Sequence, residues 1–220
     1  MTMGKKLSAL YLIVYLIIFF GIWSVRELAI QPVFLSPLDN IFSELIGAFI
    51  KLLVWTLPAI LLIRYFHNDM WIGLKEMFIT KPKWFKDAPI LLLVFVPILQ
   101  VLLHNHAIAI DPNFNPSRLI GGVLFVGITE EIVFRGFLLN VFLKKLEMKR
   151  AIAVNEVLFV LIHFPIWIYN GLDVTTILSS SITVFLLGVL FSYSFVKTRN
   201  IFVPIALHMI WNLLVIVLYI

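Results

Sequence analysis

The 220-residue chain contains no cysteine. That removes disulfides, thiolate metal ligands and cysteine nucleophiles together. Charge is almost as scarce: Asp, Glu, Lys and Arg make up 13% of the residues, against roughly 25% in a typical globular chain. Hydrophobic residues make up 62%, and the mean hydropathy is +1.06. So few charges cannot clothe a soluble fold. There is no low-complexity tract, which excludes a disordered chain. The apolar runs are long and unbroken, unlike the alternating strands of about ten residues that build a membrane barrel. What remains is an all-α, polytopic transmembrane bundle, because hydrocarbon demands that every backbone group be paired internally. The net charge of +5 then reads as topology and contact with anionic lipid, not as a nucleic-acid surface.

A span needs about 20 apolar residues. Seven segments qualify: about 7–25, 41–63, 89–110, 118–143, 151–168, 174–196 and 201–219. The first follows Lys5 and Lys6 but is too long for a signal peptide and lacks a small-residue cleavage site. It reads as a retained span. Thirteen Lys and Arg residues fall on one set of alternate connections and two on the other; Lys51 and Arg135 lie inside spans. This bias predicts an internal N-terminus and an external C-terminus. Residues 1–220 read as one integral membrane domain, and the segment of about 118–219 is the expected core of its function, for the residues described next. The longest connection carries Met70, Trp71, Leu74, Met77 and Phe78 on one helical face, followed by Lys81, Lys83 and Lys86. That pattern predicts a short interfacial helix. No internal repeat is visible, so the inverted-repeat plan of many transporters has no support.

Ionisable residues inside a span are costly and usually functional. The fourth segment places Glu130, Glu131 and Arg135 near mid-membrane. The two acids point about 100° apart on a helix. Glu131 and Arg135 stand at i and i+4 in the favourable order, which predicts a structural or tuning pair and leaves Glu130 free for chemistry. His163 on the fifth segment and His208 with Asn212 on the seventh fall at similar depth by helical rise. One carboxylate, two imidazoles and one carboxamide are thereby expected to meet in a single cavity. Glu44 and Lys51, seven apart on the second span, could pair across two turns, and read as helix-packing polar groups or cavity lining. Pro58, Pro97 and Pro165 are expected to kink their helices. His104 and His106, beside Asp111, read as a solvated external loop.

The motifs Glu130-Glu131-x-x-x-Arg135, Phe159-x-x-x-His163 and His208-x-x-x-Asn212 resemble the CPBP intramembrane proteases. That family unites type II CAAX prenyl endopeptidases with bacterial Abi and bacteriocin-processing or immunity proteins. Asn155-Glu156 departs from the pattern and reads as an interfacial detail. The resemblance implies peptide hydrolysis, with Glu130, Glu131, Arg135, His163, His208 and Asn212 as the site. The residues suit that chemistry: Glu130 as general base, His163 holding the water, His208 and Asn212 donating to the oxyanion. A metal-independent, glutamate-activated water is favoured. The alternative is a His₂Glu zinc set of Glu130, His163 and His208, although no His-Glu-x-x-His helix is present. The expected partners are membrane lipid and a peptide or protein substrate, prenylated or membrane-embedded. The expected location is a bacterial plasma membrane. Two other functions fit less well: a proton-coupled transporter using the same residues as a relay, and a catalytically silent peptide-binding immunity protein.

Overall fold

The computed structural model describes residues 7–38, 40–82 and 110–218. Its helices are α1 (Ala9–Leu35), α2 (Asn40–Tyr65), α3 (Leu74–Ile79), α4 (119–145), α5 (Met148–Tyr169), α6 (Val174–Thr198) and α7 (Phe202–Val217). Among the described residues there is no strand beyond an isolated bridge between Ile110 and Leu218. Helices α1, α2, α5 and α6 are long and apolar enough to cross a membrane. Helix α4 is as long but carries Glu130, Glu131 and Arg135, and α7 has 16 residues. The expected span 89–110, with Pro97, His104 and His106, lies outside the described residues except for Ile110. So do Lys5, Lys6, Lys83 and Lys86.

Local chemistry sets the helix ends. Ser8 caps α1 by accepting from the Tyr11 N–H, and Asp173 caps α6 by accepting from Thr176 at 2.7 Å. Arg199 ends α6 in the left-handed region, with φ at 52°. Asn200 then accepts from the Phe202 N–H and starts α7. Proline acts where expected in α5: the helix breaks at Ile162 and His163, and Pro165 opens the next turn. In α1, α2 and α4, four stretches widen to i→i+5 hydrogen bonding: Arg26–Leu35, Leu52–Thr56, Leu119–Phe125 and Ile132–Leu139. Pro32 lies in the first and Pro58 just after the second. Helix α4 has no proline, and its two widened stretches flank the short α-helical piece that carries both glutamates. Such widened turns gather at functional sites.

Helix α4 is the axis of the bundle. It packs against α2, α5, α6 and α7, and its residues 131–142 are all buried. T-shaped ring contacts run across the core from Phe19 to Trp55 (4.9 Å), Trp55 to Phe134 (5.9 Å) and Phe134 to Phe159 (4.9 Å). They tie α1, α2, α4 and α5 together. A Cβ on Gly127 would lie 2.7 Å from the Met209 side chain. Only glycine lets α7 approach α4 this closely, and that approach delivers His208.

The expected interfacial helix is present as α3, but its apolar face turns into the protein. Met70, Ile72 and Met77 are buried in the main core. The segment is fixed by Asn140 of α4, whose Oδ1 accepts from the Ile72 N–H while its Nδ2 donates to the carbonyls of Ile72 and Gly136. Asn140→Ala removes three buried hydrogen bonds and strands both Ile72 backbone groups. The expected cost is about 2–4 kcal/mol, read as a lowered unfolding midpoint in detergent. An unchanged midpoint would show that Asn140 does not hold this segment.

Candidate active site in the membrane bundle

Arg135, Glu131 and Glu156 are wholly inaccessible, and Arg135 is the cation among them. Its Nη1 donates to Glu131 Oε1 at 3.0 Å, as the i,i+4 spacing predicts. Its Nη2 donates to Glu156 Oε2 at 2.8 Å and to the Gly188 carbonyl at 2.9 Å. Its Nε donates to Ser192 Oγ at 3.2 Å. The guanidinium lies 4.5 Å from the Phe159 ring centroid. Glu156 completes the cluster by accepting from Ser192 Oγ at 2.5 Å and Asn155 Nδ2 at 2.8 Å. The interfacial reading of Asn155-Glu156 is thereby overturned. Helix α5 begins at Met148, so Glu156 lies two turns inside it, with no exposure. A Cβ on Gly188 would collide with the Glu156 carboxylate and approach Arg135 Nη2 to 3.1 Å, so glycine is required there for the carboxylate to reach the guanidinium.

Glu131 has a second role that its spacing did not reveal. The oxygen that meets Arg135 also meets His208 Nδ1, at 2.7 Å. A carboxylate there fixes the imidazole with its proton on Nδ1 and turns Nε2 toward the far side. The ring is held flat against Phe191, with centroids 5.0 Å apart and planes 18° from parallel. His208 Nε2 then faces Glu130 Oε2 across 4.0 Å. That gap is too wide for a direct hydrogen bond and fits a bridging water. Glu130 is 5% exposed, and its Oε2 has no partner among the described residues.

His163 sits at the break in α5. Its Nδ1 meets the Phe159 carbonyl at 2.7 Å, so that nitrogen carries the proton and Nε2 keeps a lone pair. The ring stands edge-on to Phe159 at 5.0 Å, and it lies within electrostatic reach of Glu130. Asn212 stands apart from this centre. Its Nδ2 donates to the Gly122 carbonyl at 2.9 Å, and Gly122 lies eight residues, about 12 Å by helical rise, from Glu130. Among the described residues its second amide hydrogen has no partner.

The pairing of Lys51 with Glu44 is corrected. Seven residues span about 10.5 Å along a helix, too far for a direct ion pair. Glu44 lies instead against the Gly121 backbone. Lys51 crosses from α2 to α4 and meets Glu130 Oε1 at 2.7 Å. No group of three His, Asp or Glu among the described residues is arranged to hold a metal ion. Of the three residues of the alternative zinc set, Glu130 has one oxygen engaged by Lys51.

Arg135 is expected to be the most sensitive position in the cluster. Arg135→Met leaves two buried carboxylates without a counter-charge, an expected loss of about 3–5 kcal/mol. Glu131→Gln and Glu156→Gln each leave one partner and should lose less. Unfolding midpoints of the three variants give the order, and an Arg135→Met midpoint equal to the others would contradict it.

Residues 112–214 match the family model described as Type II CAAX prenyl endopeptidase Rce1-like. No curated protein and no solved structure matches the chain. The matched stretch contains the whole of α4, α5 and α6, most of α7, and every motif residue from Glu130 to Asn212. With its apolar helices, it marks an integral membrane protein. The segment from 112 to 214, just under half of the chain, is thus similar to the Rce1-like type II CAAX prenyl endopeptidases.

Proposed function

We propose that the protein is an intramembrane endopeptidase in which Glu130 activates a water for attack on a peptide carbonyl. The observation that carries this reading is the unpartnered, buried Oε2 of Glu130, set 4.0 Å from His208 Nε2. In the first step the water oxygen bonds to the carbonyl carbon and its proton passes to Glu130 Oε2. His163 Nε2, with its lone pair exposed, accepts the water's other O–H and orients it. The developing oxyanion takes a hydrogen bond from His208 Nε2, which requires the imidazolium that Glu131 is placed to stabilise. Collapse breaks the C–N bond, and Glu130 returns its proton to the leaving nitrogen. The products are one new carboxyl group and one new amine. Similarity to that family supports a CAAX-type substrate, a peptide carrying a prenyl group near its C-terminus. We further propose seven spans with the N-terminus inside, in a bacterial plasma membrane, because thirteen cations lie on one side of that layout and two on the other.

A relay in a transporter would use the same acid and imidazoles. Peptide cleavage separates the two readings, because a relay breaks no peptide bond.

The direct test is cleavage of a prenylated CAAX peptide by the purified protein, with and without chelator, beside Glu130→Gln. The variant keeps the side-chain shape and cannot take the water's proton. It should fold normally and lose all measurable turnover, while wild-type cleavage survives chelation. A fully active Glu130→Gln enzyme would remove Glu130 as the base. Reporter fusions at the two ends test the layout: a C-terminus on the same side as the N-terminus would contradict seven spans.

A further inference from the structure

Helix α2 lies outside the family-matched stretch, yet it supplies the closest polar contact that Glu130 makes. Lys51 Nζ donates to Glu130 Oε1 at 2.7 Å. The ammonium is itself held between two indoles, 4.8 Å from the Trp55 centroid and 5.1 Å from that of Trp23. Trp23 and Trp55 are both buried and contact one another edge-on at 4.8 Å. A cation in such a cage has little freedom. Of the other acids near it, Glu27 pairs through one oxygen with Arg26 at 2.7 Å, and Glu44 lies against Gly121. Among the described residues the direct ion pair of Lys51 is with Glu130.

The two oxygens of Glu130 are thus unlike each other. Oε1 is held by Lys51, and Oε2 is unpartnered and turned toward His208 Nε2. A Glu side chain has three rotatable bonds, and its backbone alone does not aim an oxygen. We propose that Lys51, held by Trp23 and Trp55, is a positioning residue that fixes Glu130 by one carboxylate oxygen and presents the other to the attacking water. This rests on the hydrolytic reading above. It also assigns a function to α1 and α2, which carry no motif. They form an aromatic socket for the ammonium that orients the base.

The test uses the full-length protein and the same peptide cleavage assay. Lys51→Met keeps the apolar stem beneath the indoles and removes the donor. Lys51→Arg restores a cation that aromatic faces also hold, as Arg26 over Trp23 shows at 5.0 Å. With the folded fraction measured for each, Lys51→Met is expected to lower kcat about 10²-fold, the scale of a misplaced catalytic group, and to leave KM within about twofold. Lys51→Arg is expected to recover at least a tenth of the wild-type kcat. Folded Lys51→Met with wild-type kcat would overturn the proposal. So would a loss confined to KM, or a Lys51→Arg variant that folds but is as slow as Lys51→Met. If Lys51→Met does not fold, Lys51→Arg and Trp55→Phe decide: the first should retain turnover, and the second, with a weaker cage, should lower kcat at constant KM. Wild-type kcat in Trp55→Phe would then overturn the proposal. Failure here with an inactive Glu130→Gln leaves the protease reading in place, whereas an active Glu130→Gln removes that reading itself.

Discussion

A guanidinium that does not give up its proton sits fully buried at the centre of an apolar bundle, and the arrangement of the site follows from satisfying it. Arg135 needs acceptors on every side. Glu131 supplies one from its own helix, Glu156 a second from α5, and Gly188 with Ser192 two more from α6. Those contacts lock three helices in register. Because Glu131 must face Arg135, its Oε1 is also fixed where His208 of α7 can reach it. The cluster therefore transmits a structural requirement of the core into the orientation of a histidine. Burying ion pairs is often close to neutral for stability. The value of this set lies in the single geometry it permits.

The next acid on α4, one residue earlier, faces a different set of neighbours. Glu130 meets Lys51 from α2 and looks toward His208 and His163. Adjacent glutamates thus divide two tasks, because successive residues on a helix point about 100° apart. Glu131 faces the Arg135 cluster and Glu130 faces the proposed reaction centre. Lys51 supplies Glu130 with a counter-charge, as a carboxylate in so apolar a setting requires. It leaves one oxygen uncommitted, as a base requires.

Much of this was legible in the sequence. The fold class follows from scarce charge and long apolar runs. The Glu131–Arg135 contact follows from helical spacing, and the 4.0 Å approach of His208 to Glu130 from comparing depths along the helices. The unread parts all depend on helix–helix packing. Nothing local to Lys51 says that it crosses to α4, and its nearest acid in sequence, Glu44, misled for want of reach. Glu156 was placed at an interface because the start of α5 was set three residues too late. A charge count inside the spans held part of the missing signal: Glu44, Glu130, Glu131 and Glu156 have only Lys51 and Arg135 among them, so an acid not met by Arg135 has one cation to turn to. Small residues at Gly188 and Ser192, one turn apart on α6, likewise marked where an arginine could be received. Asn212 shares the face of His208 as expected, but its amide reaches Gly122, because the antiparallel crossing of α4 and α7 carries it away from Glu130.

The central claim is that water, oriented by a fixed Glu130, attacks the peptide bond directly. A single-turnover cleavage in ¹⁸O-labelled water, with enzyme in excess, tests it most directly. Mass spectrometry then reads both the new product carboxyl and the enzyme fragment containing Glu130. Direct attack predicts one ¹⁸O atom in every product molecule and none in Glu130. Label in the Glu130 carboxylate, with unlabelled product, would show that the glutamate itself had attacked the substrate, and would contradict the account.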